Sequence, residues 1–431
     1  MLDNKQKVYF QRNLLFRKEH FGILALMGDG KRYLLNSRYF DSLKCLHKKH
    51  HIDKCSNFSS KNGKDFLSFL LDKKIIGLKN KNIKPRFIEN SFISRDCISF
   101  PRTIYWECTR KCNFNCIHCY SSSGDEHRDD ELTLKQIKGL IKELSIMGVE
   151  FLSIGGGEPF LYPHVVEVVK YATKNLVSVE VSTNGSLVTN NIINDLKRAG
   201  LKFVQVSLDG ATNDTYSKIR RGGNLTVTAK NIEKLSKHFI VSTCMVVNKL
   251  NYHEIEDVID LSIKLGVKFF RIIPFMEVGR AIDMKNLQLE KSEFRKIYQM
   301  IIDKRKKVNN KIFIQLNENL VIPNKKNIEW MPDNHYGCSA GRTTCGIDSC
   351  GNVYPCSYMV FDKLICGNIK NTSLTKIWIS SPVMKRLRSI SSLNGKCSTC
   401  KHLYLCRGGC RAAAYLKKNN MRDSDYLCSI K

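Results

Sequence analysis

Six apolar runs of strand length alternate with amphipathic stretches of helical length between Thr103 and Phe275. The strand candidates are "TIYWEC" (103–108), "FLSIGG" (151–156), "VSVEVST" (177–183), "FVQVSLD" (203–209), "FIVSTCMVV" (239–247) and "VKFFRIIPF" (267–275). Between them lie "TLKQIKGLIKELSIMG", "PHVVEVVKYATKN", "TNNIINDLKRAG" and "EIEDVIDLSIKLG", whose apolar residues recur at helical spacing. Strands separated by helices pair in parallel through right-handed crossovers, so the segment is expected to form an α/β fold, a partial (β/α)6 barrel. Function in such barrels gathers where the strands end. The unusual residues fall at those ends: "CNFNCIHCY" after the first strand, "GGGEP" after the second, "STNG" after the third and "SLDG" after the fourth. Each alone is ordinary turn chemistry, whereas four at one end of one barrel make a site.

The chain of 431 residues has room for more than one core. We divide it at residues 1–98, 99–320 and 335–431. No run of eighteen apolar residues occurs, and "MLDNKQKVYF" has neither the apolar stretch nor the cleavage site of a signal peptide, so a soluble, cytoplasmic protein with no membrane partner is expected. Ten of the eighteen cysteines lie between Cys338 and Cys428. In a cytosolic chain of this size that density points to metal or catalysis rather than disulfides. The net charge of +30 invites a nucleic-acid partner, but the lysines are spread along the whole chain among Asn and Ile residues. Nucleic acid is therefore not expected, and an acidic peptide explains the charge equally well.

Before Phe100, "NLLFRKE", "FGILALM" and "KRYLLN" read as three short strands, with "MGDGKR" as a hairpin turn, followed by helices near 37–48 and 64–75. "KNKNIKPRF" then reads as a linker. This winged-helix-like unit is too small for an enzyme. Residues 1–100 contain 21 Lys and Arg against 9 Asp and Glu, a balance of +12.

Cys112, Cys116 and Cys119 leave one coordination position open, unless His118 folds back to close a structural metal site. Three thiolates in one compact loop can hold three corners of a 4Fe–4S cluster. The spacing C-x3-C-x2-C, with Tyr120 next to it and a barrel strand before it, resembles the radical S-adenosylmethionine (SAM) enzymes. That resemblance implies that the open iron binds the SAM amino and carboxylate groups. An electron from the cluster then yields a 5'-deoxyadenosyl radical, with a donor such as flavodoxin or ferredoxin supplying it. Gly156, Gly157 and Glu158 would receive the amino group. Asn184, Ser207 and Asp209 would contact ribose and carboxylate, and Arg220 or Arg221 would pair with the carboxylate.

The C-terminal third contains Cys338-x12-Gly351-x4-Cys356, then Cys397-x2-Cys400-x5-Cys406-x3-Cys410 and finally Cys428. This resembles the seven-cysteine SPASM domain, which carries two auxiliary clusters and would bring the total to three 4Fe–4S clusters. By that resemblance Cys338, Cys356 and Cys410 hold the first, with Cys345, or alternatively Cys350, as a further ligand. Cys397, Cys400, Cys406 and Cys428 hold the second. A zinc ribbon of Cys397, Cys400, Cys406 and Cys410 is the alternative, but it leaves Cys338, Cys356 and Cys428 unused. Cys45, Cys55, Cys97, Cys108, Cys244 and Cys366 read as reduced, partly buried thiols.

A small strand-rich unit ahead of such a barrel resembles the precursor-recognition element of ribosomal-peptide maturases. A leader peptide would add as a strand along "KRYLLN", with "DFLSFLLDKKIIGL" as the other wall; an ordinary structural winged helix is the plainer reading. The whole reads as a radical SAM/SPASM peptide maturase that installs a thioether or carbon–carbon crosslink. A sulfatase-maturing oxidase, a haem or small-cofactor maturase, and an RNA-binding protein with structural metal are the rivals.

Overall fold

A computed structural model of the chain describes residues 7–11, 14–27, 32–89, 94, 96–124, 130–175, 177–316, 337–389 and 393–428. At the N-terminus β1 (Tyr9–Phe10) pairs with β5 (Ile76–Gly77). Strands β2 (Leu14–Glu19), β3 (Gly22–Met27) and β4 (Arg32–Leu35) form an antiparallel meander, and β6 (Arg86–Ile88) joins parallel to β2. Helices α1 (Phe40–Lys49) and α2 (Lys61–Asp72) pack with this sheet around Phe16, Phe40, Leu43, Phe58 and Leu70. The tip of the expected hairpin turn, residues 28–31, lies outside the described residues. The stretch read as a linker runs into β6, whose first two residues it contains. Three residues are too few to show a period, and the strand is fixed by tertiary contact: the Phe87 ring stacks on Phe16 at 5.2 Å between centroids.

Among the described residues the main sheet has ten strands. β7 (Thr103–Thr109), β8 (Phe151–Gly156), β9 (Ser178–Thr183), β10 (Phe203–Ser207), β11 (Ile240–Val247), β12 (Phe269–Pro274) and β13 (Phe313–Leu316) follow one another in parallel. On the other side of β7, β14 (Thr344–Ile347) pairs in parallel, and β15 (Asn352–Tyr354) and β16 (Gly367–Asn368) continue antiparallel. The cysteine-rich segment thus supplies strands to the same sheet as the barrel. Helices α3 (Leu134–Met147), α4 (Val165–Lys174), α5 (Asn190–Arg198), α6 (Asn213–Ile219), α7 (Leu225–Ser236) and α8 (Ile255–Lys264) connect the parallel strands, and α9 (Lys291–Lys307) precedes β13. α3 shows why the segment folds this way. Thr133 and Gln136 form a capping box at its start, Gly148 ends it at φ 68°, and Ile137, Leu140, Ile141, Leu144 and Met147 form its buried stripe. Among the described residues no helix is long and apolar enough to cross a membrane.

A buried ion pair ties the N-terminal sheet to the barrel. Arg17 Nε lies 2.8 Å from Glu19 Oε1, and Arg17 Nη1 donates to Gly148 O at 3.1 Å. Glu19 accepts from the Ser99 backbone N–H at 2.8 Å and from Ser99 Oγ at 2.9 Å. Removing one partner of such a pair strands the other charge away from water, at a cost of about 3 kcal/mol or more. Arg17→Ala should therefore lower the melting temperature measurably, and adding Glu19→Gln to it should recover part of the loss; strict additivity of the two changes would contradict the coupling.

Candidate active site at the ends of the barrel strands

The three-cysteine loop is seated by backbone contacts on three sides. Cys112 N–H donates to Gly124 O at 2.8 Å, Asn115 N–H to Arg221 O at 2.8 Å and Ile117 N–H to Ile219 O at 3.0 Å. Ile117 enters an apolar cluster with Ile219, Phe275, Ala281 and Leu287. The end of β8 closes on the start of the loop: Gly157 N–H donates to Thr109 O and Glu158 N–H to Lys111 O, each at 2.8 Å. A Cβ on Gly157 would fall 2.0 Å from Lys111 O, and Gly156 sits at φ +109° with its Cβ direction 2.7 Å from Thr109 O. Both positions therefore require glycine for this close approach.

Cys112, Cys116, Cys119, Gly156, Gly157, Asn184, Ser207 and Arg220 line one cavity. Glu158 and Asp209, expected among the contacts as well, are fully buried and bond to residues that line this cavity. Glu158 is fully buried and accepts from Thr183 Oγ1 (2.7 Å), Asn184 N–H (2.8 Å) and Phe160 N–H (3.1 Å). Burial pushes its carboxyl up against the opposing pull of these donors. Asp209 accepts from Arg220 Nε at 2.6 Å and from Val246 N–H at 2.6 Å. Burial would raise its pKa, but the Arg220 and His118 charges outweigh that and hold it at about 2. His118, the alternative fourth ligand, turns its Nε2 to Asp209 at 3.2 Å. Arg220 is thereby aimed at the loop, its Nη1 3.7 Å from Cys116 Sγ.

The donor set suits a cluster. Burial pushes the Cys112 thiol up and carries Cys116 up to about 11 despite Arg220, so ligation of iron here must displace tightly held protons. Among the described residues no three His, Cys, Asp or Glu side chains converge on a point where a single ion could be held. The three thiols line one cavity, and three thiolates on one loop are a ligand set that a 4Fe–4S cluster accepts.

Several cavity residues escaped the sequence reading. Arg271 Nη1 donates to Gln205 Oε1 at 2.6 Å and lies 4.0 Å from Glu180 Oε1, which accepts from Ser153 Oγ at 3.2 Å. Glu107 lines the cavity, as does Tyr358 from the cysteine-rich segment. A signal was present: in "VSVEVST" and "FVQVS" valines alternate with Glu, Ser and Gln. The valines at 179, 181, 204 and 206 are buried, while Glu180, Ser182, Gln205 and Ser207 line the cavity.

In the C-terminal segment Cys338, Cys356 and Cys410 belong to one cluster of packed side chains. Burial, then the Cys338 thiol, push Cys356 up to about 12. Cys406 is raised by burial, with Cys428 and Cys397 adding to it. Asp425 joins the two ends of this segment, its Oδ2 accepting from Cys410 N–H at 2.7 Å and its carbonyl from Cys428 N–H at 3.1 Å. Cys400 N–H donates to Cys397 O at 3.3 Å. Cys345 lies fully buried on β14, where burial pushes its thiol up, Cys366 adds to this and Arg388 opposes it. Cys350 Sγ donates to Asp130 Oδ1 at 3.2 Å.

Residues 106–262 match the radical SAM superfamily, and residues 338–401 match SPASM, an iron–sulfur cluster-binding domain. The AdoMet-dependent heme synthase of Methanosarcina barkeri is 30% identical over 341 residues, covering 76% of this chain and 96% of that protein. Mycofactocin maturase MftC of Mycolicibacterium smegmatis is 33% identical over 340 residues, covering 77% and 82%. The crystal structure of Streptococcus suis SuiB bound to precursor peptide SuiA superposes with a TM-score of 0.77 at 18% identity, covering 98% of this chain and 100% of that one. The chain therefore belongs to the radical SAM superfamily and carries a SPASM domain: it is an enzyme with a SAM-binding 4Fe–4S cluster in the barrel and auxiliary iron–sulfur clusters in its cysteine-rich C-terminal segment.

Proposed function

We propose that the enzyme modifies a ribosomally made precursor peptide, introducing a thioether or carbon–carbon crosslink. The observation that carries this reading is a cavity bounded by the three-cysteine loop, by the strand ends and by Ser357 and Tyr358 beside Cys356, together with an open strand edge on the N-terminal unit. MftC is a maturase, and SuiB is a precursor-peptide-binding protein with this fold.

Cys112, Cys116 and Cys119 would hold the SAM-binding cluster. When bound, cluster and SAM supply the electron and the hydrogen-abstracting group. Asn184, Ser207 and Arg220 would orient SAM, with Gly156 and Gly157 admitting its amino end. Glu158 and Asp209 would act by fixing Asn184 and Arg220 in place. Tyr358 would cover the cavity and exclude water. A small electron-transfer protein such as flavodoxin or ferredoxin would supply the electron in the cytoplasm. A haem-type substrate is the second reading, favoured by the relative that is a heme synthase. It leaves the N-terminal unit without a role.

With Cys338, Cys356, Cys410 and Cys345 on one auxiliary cluster and Cys397, Cys400, Cys406 and Cys428 on the other, anaerobically reconstituted protein should bind about twelve irons per chain. Replacing Cys112, Cys116 and Cys119 together by Ala should leave about eight and abolish SAM cleavage. Cys345→Ala should change an auxiliary-cluster signal and Cys350→Ala should not, because Cys350 already donates to Asp130. Persistent cleavage by the triple variant contradicts the loop assignment, and the opposite ranking of the two single variants moves the ligand to Cys350.

The leader would add to β4. This strand ends the sheet order β4-β3-β2-β6, Leu34 is 42% exposed, and the Tyr33 ring meets Phe69 of α2 edge-on at 5.5 Å. Successive N–H groups of an edge strand alternate between its partner and the open side. Of Leu34→Pro and Leu35→Pro, one should therefore weaken binding of a candidate precursor peptide about tenfold by deleting a ladder bond to it. Fluorescence anisotropy on the full chain, with RNA and a porphyrin as comparison ligands, checks this. RNA or porphyrin binding without peptide binding would reject the maturase reading.

A further inference from the structure

The loop that follows β12 bears on the three-cysteine loop through Gly279 and Arg280. Gly279 adopts φ +60°, and a Cβ there would stand 2.4 Å from both Cys119 O and Tyr120 O. Arg280 then addresses three carbonyls of the cysteine loop: its backbone N–H donates to Cys119 O at 3.0 Å, its Nε to Cys116 O at 2.9 Å and its Nη1 to Ser123 O at 2.7 Å. The next residue, Ala281, is fully buried in the same apolar cluster as Ile117. The segment is itself braced, since Ala281 N–H donates to Val278 O at 3.1 Å and Ile282 N–H to Gly279 O at 3.2 Å.

We propose that Gly279 and Arg280 form a strap that seats the three-cysteine loop, and that the Arg280 guanidinium is a positioning group that both retains this cluster and raises its reduction potential. The inference rests on the reading that Cys112, Cys116 and Cys119 hold the cluster. Two of those three cysteines receive a hydrogen bond from Arg280 at their own carbonyl. Cys116 is flanked on two sides: Arg220 faces its sulfur and Arg280 its carbonyl. Adding an electron to a cluster adds negative charge, which a nearby fixed cation stabilises, and donors aimed at the ligand backbone hold the thiolates in the geometry the cube demands. Arg280 also reaches the cavity wall, so direct contact with SAM is the competing role. The donor inventory favours the strap: Nε and one Nη1 proton are engaged by carbonyls, which fixes the plane of the guanidinium against the loop.

The test uses the full chain, reconstituted anaerobically, as wild type, Arg280→Gln and Arg280→Lys, with the Cys112, Cys116 and Cys119 triple Ala variant marking the auxiliary signal to subtract. The readouts are the rate of iron loss to a chelator and an EPR-monitored redox titration of the SAM-free protein. Arg280→Gln should lose the SAM-binding cluster about tenfold faster, the effect of losing two hydrogen bonds, and shift its potential to more negative values. Arg280→Lys keeps the charge without the two-pronged contact, so it should restore the potential more fully than the retention. Auxiliary iron should stay constant in both. Unchanged retention and potential in Arg280→Gln, with SAM affinity alone reduced, would overturn the strap and make Arg280 a cofactor contact. If wild type and the triple variant give identical titrations, the loop does not hold the cluster, and the underlying reading falls rather than the strap alone.

Discussion

Gly157 has no room for a side chain, and much of the site follows from that contact. The end of β8 lies so close to the chain leaving β7 that two successive N–H groups, of Gly157 and Glu158, reach Thr109 and Lys111 carbonyls. This closure fixes where the cysteine loop begins. It also turns the Glu158 side chain inward, where its oxygens meet Thr183 and the Asn184 N–H at the end of β9. Beyond β10, Asp209 does the same for the next pair of strand ends, accepting from Val246 N–H of β11 and from Arg220. Buried carboxylates are costly unless fully bonded, and these two are bonded at several points. Their place is in holding the strand ends in register before any ligand arrives, the kind of preorganisation a radical reaction needs.

The same sheet explains where the ligand goes. A parallel sheet covered on both faces usually reads as continuous aliphatic sequence. Here β9 and β10 carry valine toward the helices and Glu, Ser or Gln toward the barrel interior, so the interior is a polar cavity rather than a packed core. The C-terminal segment completes it. β14 pairs in register with β7, and Tyr358, two residues beyond Cys356, joins the cavity wall. A ligand in the barrel thus lies against residues that also flank a proposed auxiliary-cluster cysteine. An insertion between Cys345 and Cys356 would disturb both.

The barrel and the cysteine spacings were legible because they are local: helical stripes such as that of α3 and the C-x3-C-x2-C loop need no knowledge of distant residues. What escaped depends on tertiary contact. β6 is three residues stabilised by Phe87 on Phe16, and β14 is four residues that find a partner more than two hundred positions away. The protein partners of Glu158 and Asp209 escaped for a related reason. A carboxylate at a strand end looks like a ligand contact in sequence, and only the positions of Thr183, Val246 and Arg220 show that its acceptors are already engaged by protein. Arg280 gave no warning at all, since an arginine after a strand is ordinary until its three carbonyl partners are placed around it.

Charge makes the closing distinction. The excess of +30 is dominated by lysine, yet several arginines have specific partners inside the protein. Arg17 is matched to Glu19 and Gly148 O, Arg220 to Asp209, Arg271 to Gln205 and Glu180, and Arg280 to loop carbonyls. A planar guanidinium can bridge two acceptors in fixed geometry, which a flexible ammonium does less well. Exposed lysines act at longer range, on any charged molecule near the surface, and lose that influence as salt is added. Net charge therefore bears on what approaches the surface, and these partnered arginines bear on the geometry that holds the elements together.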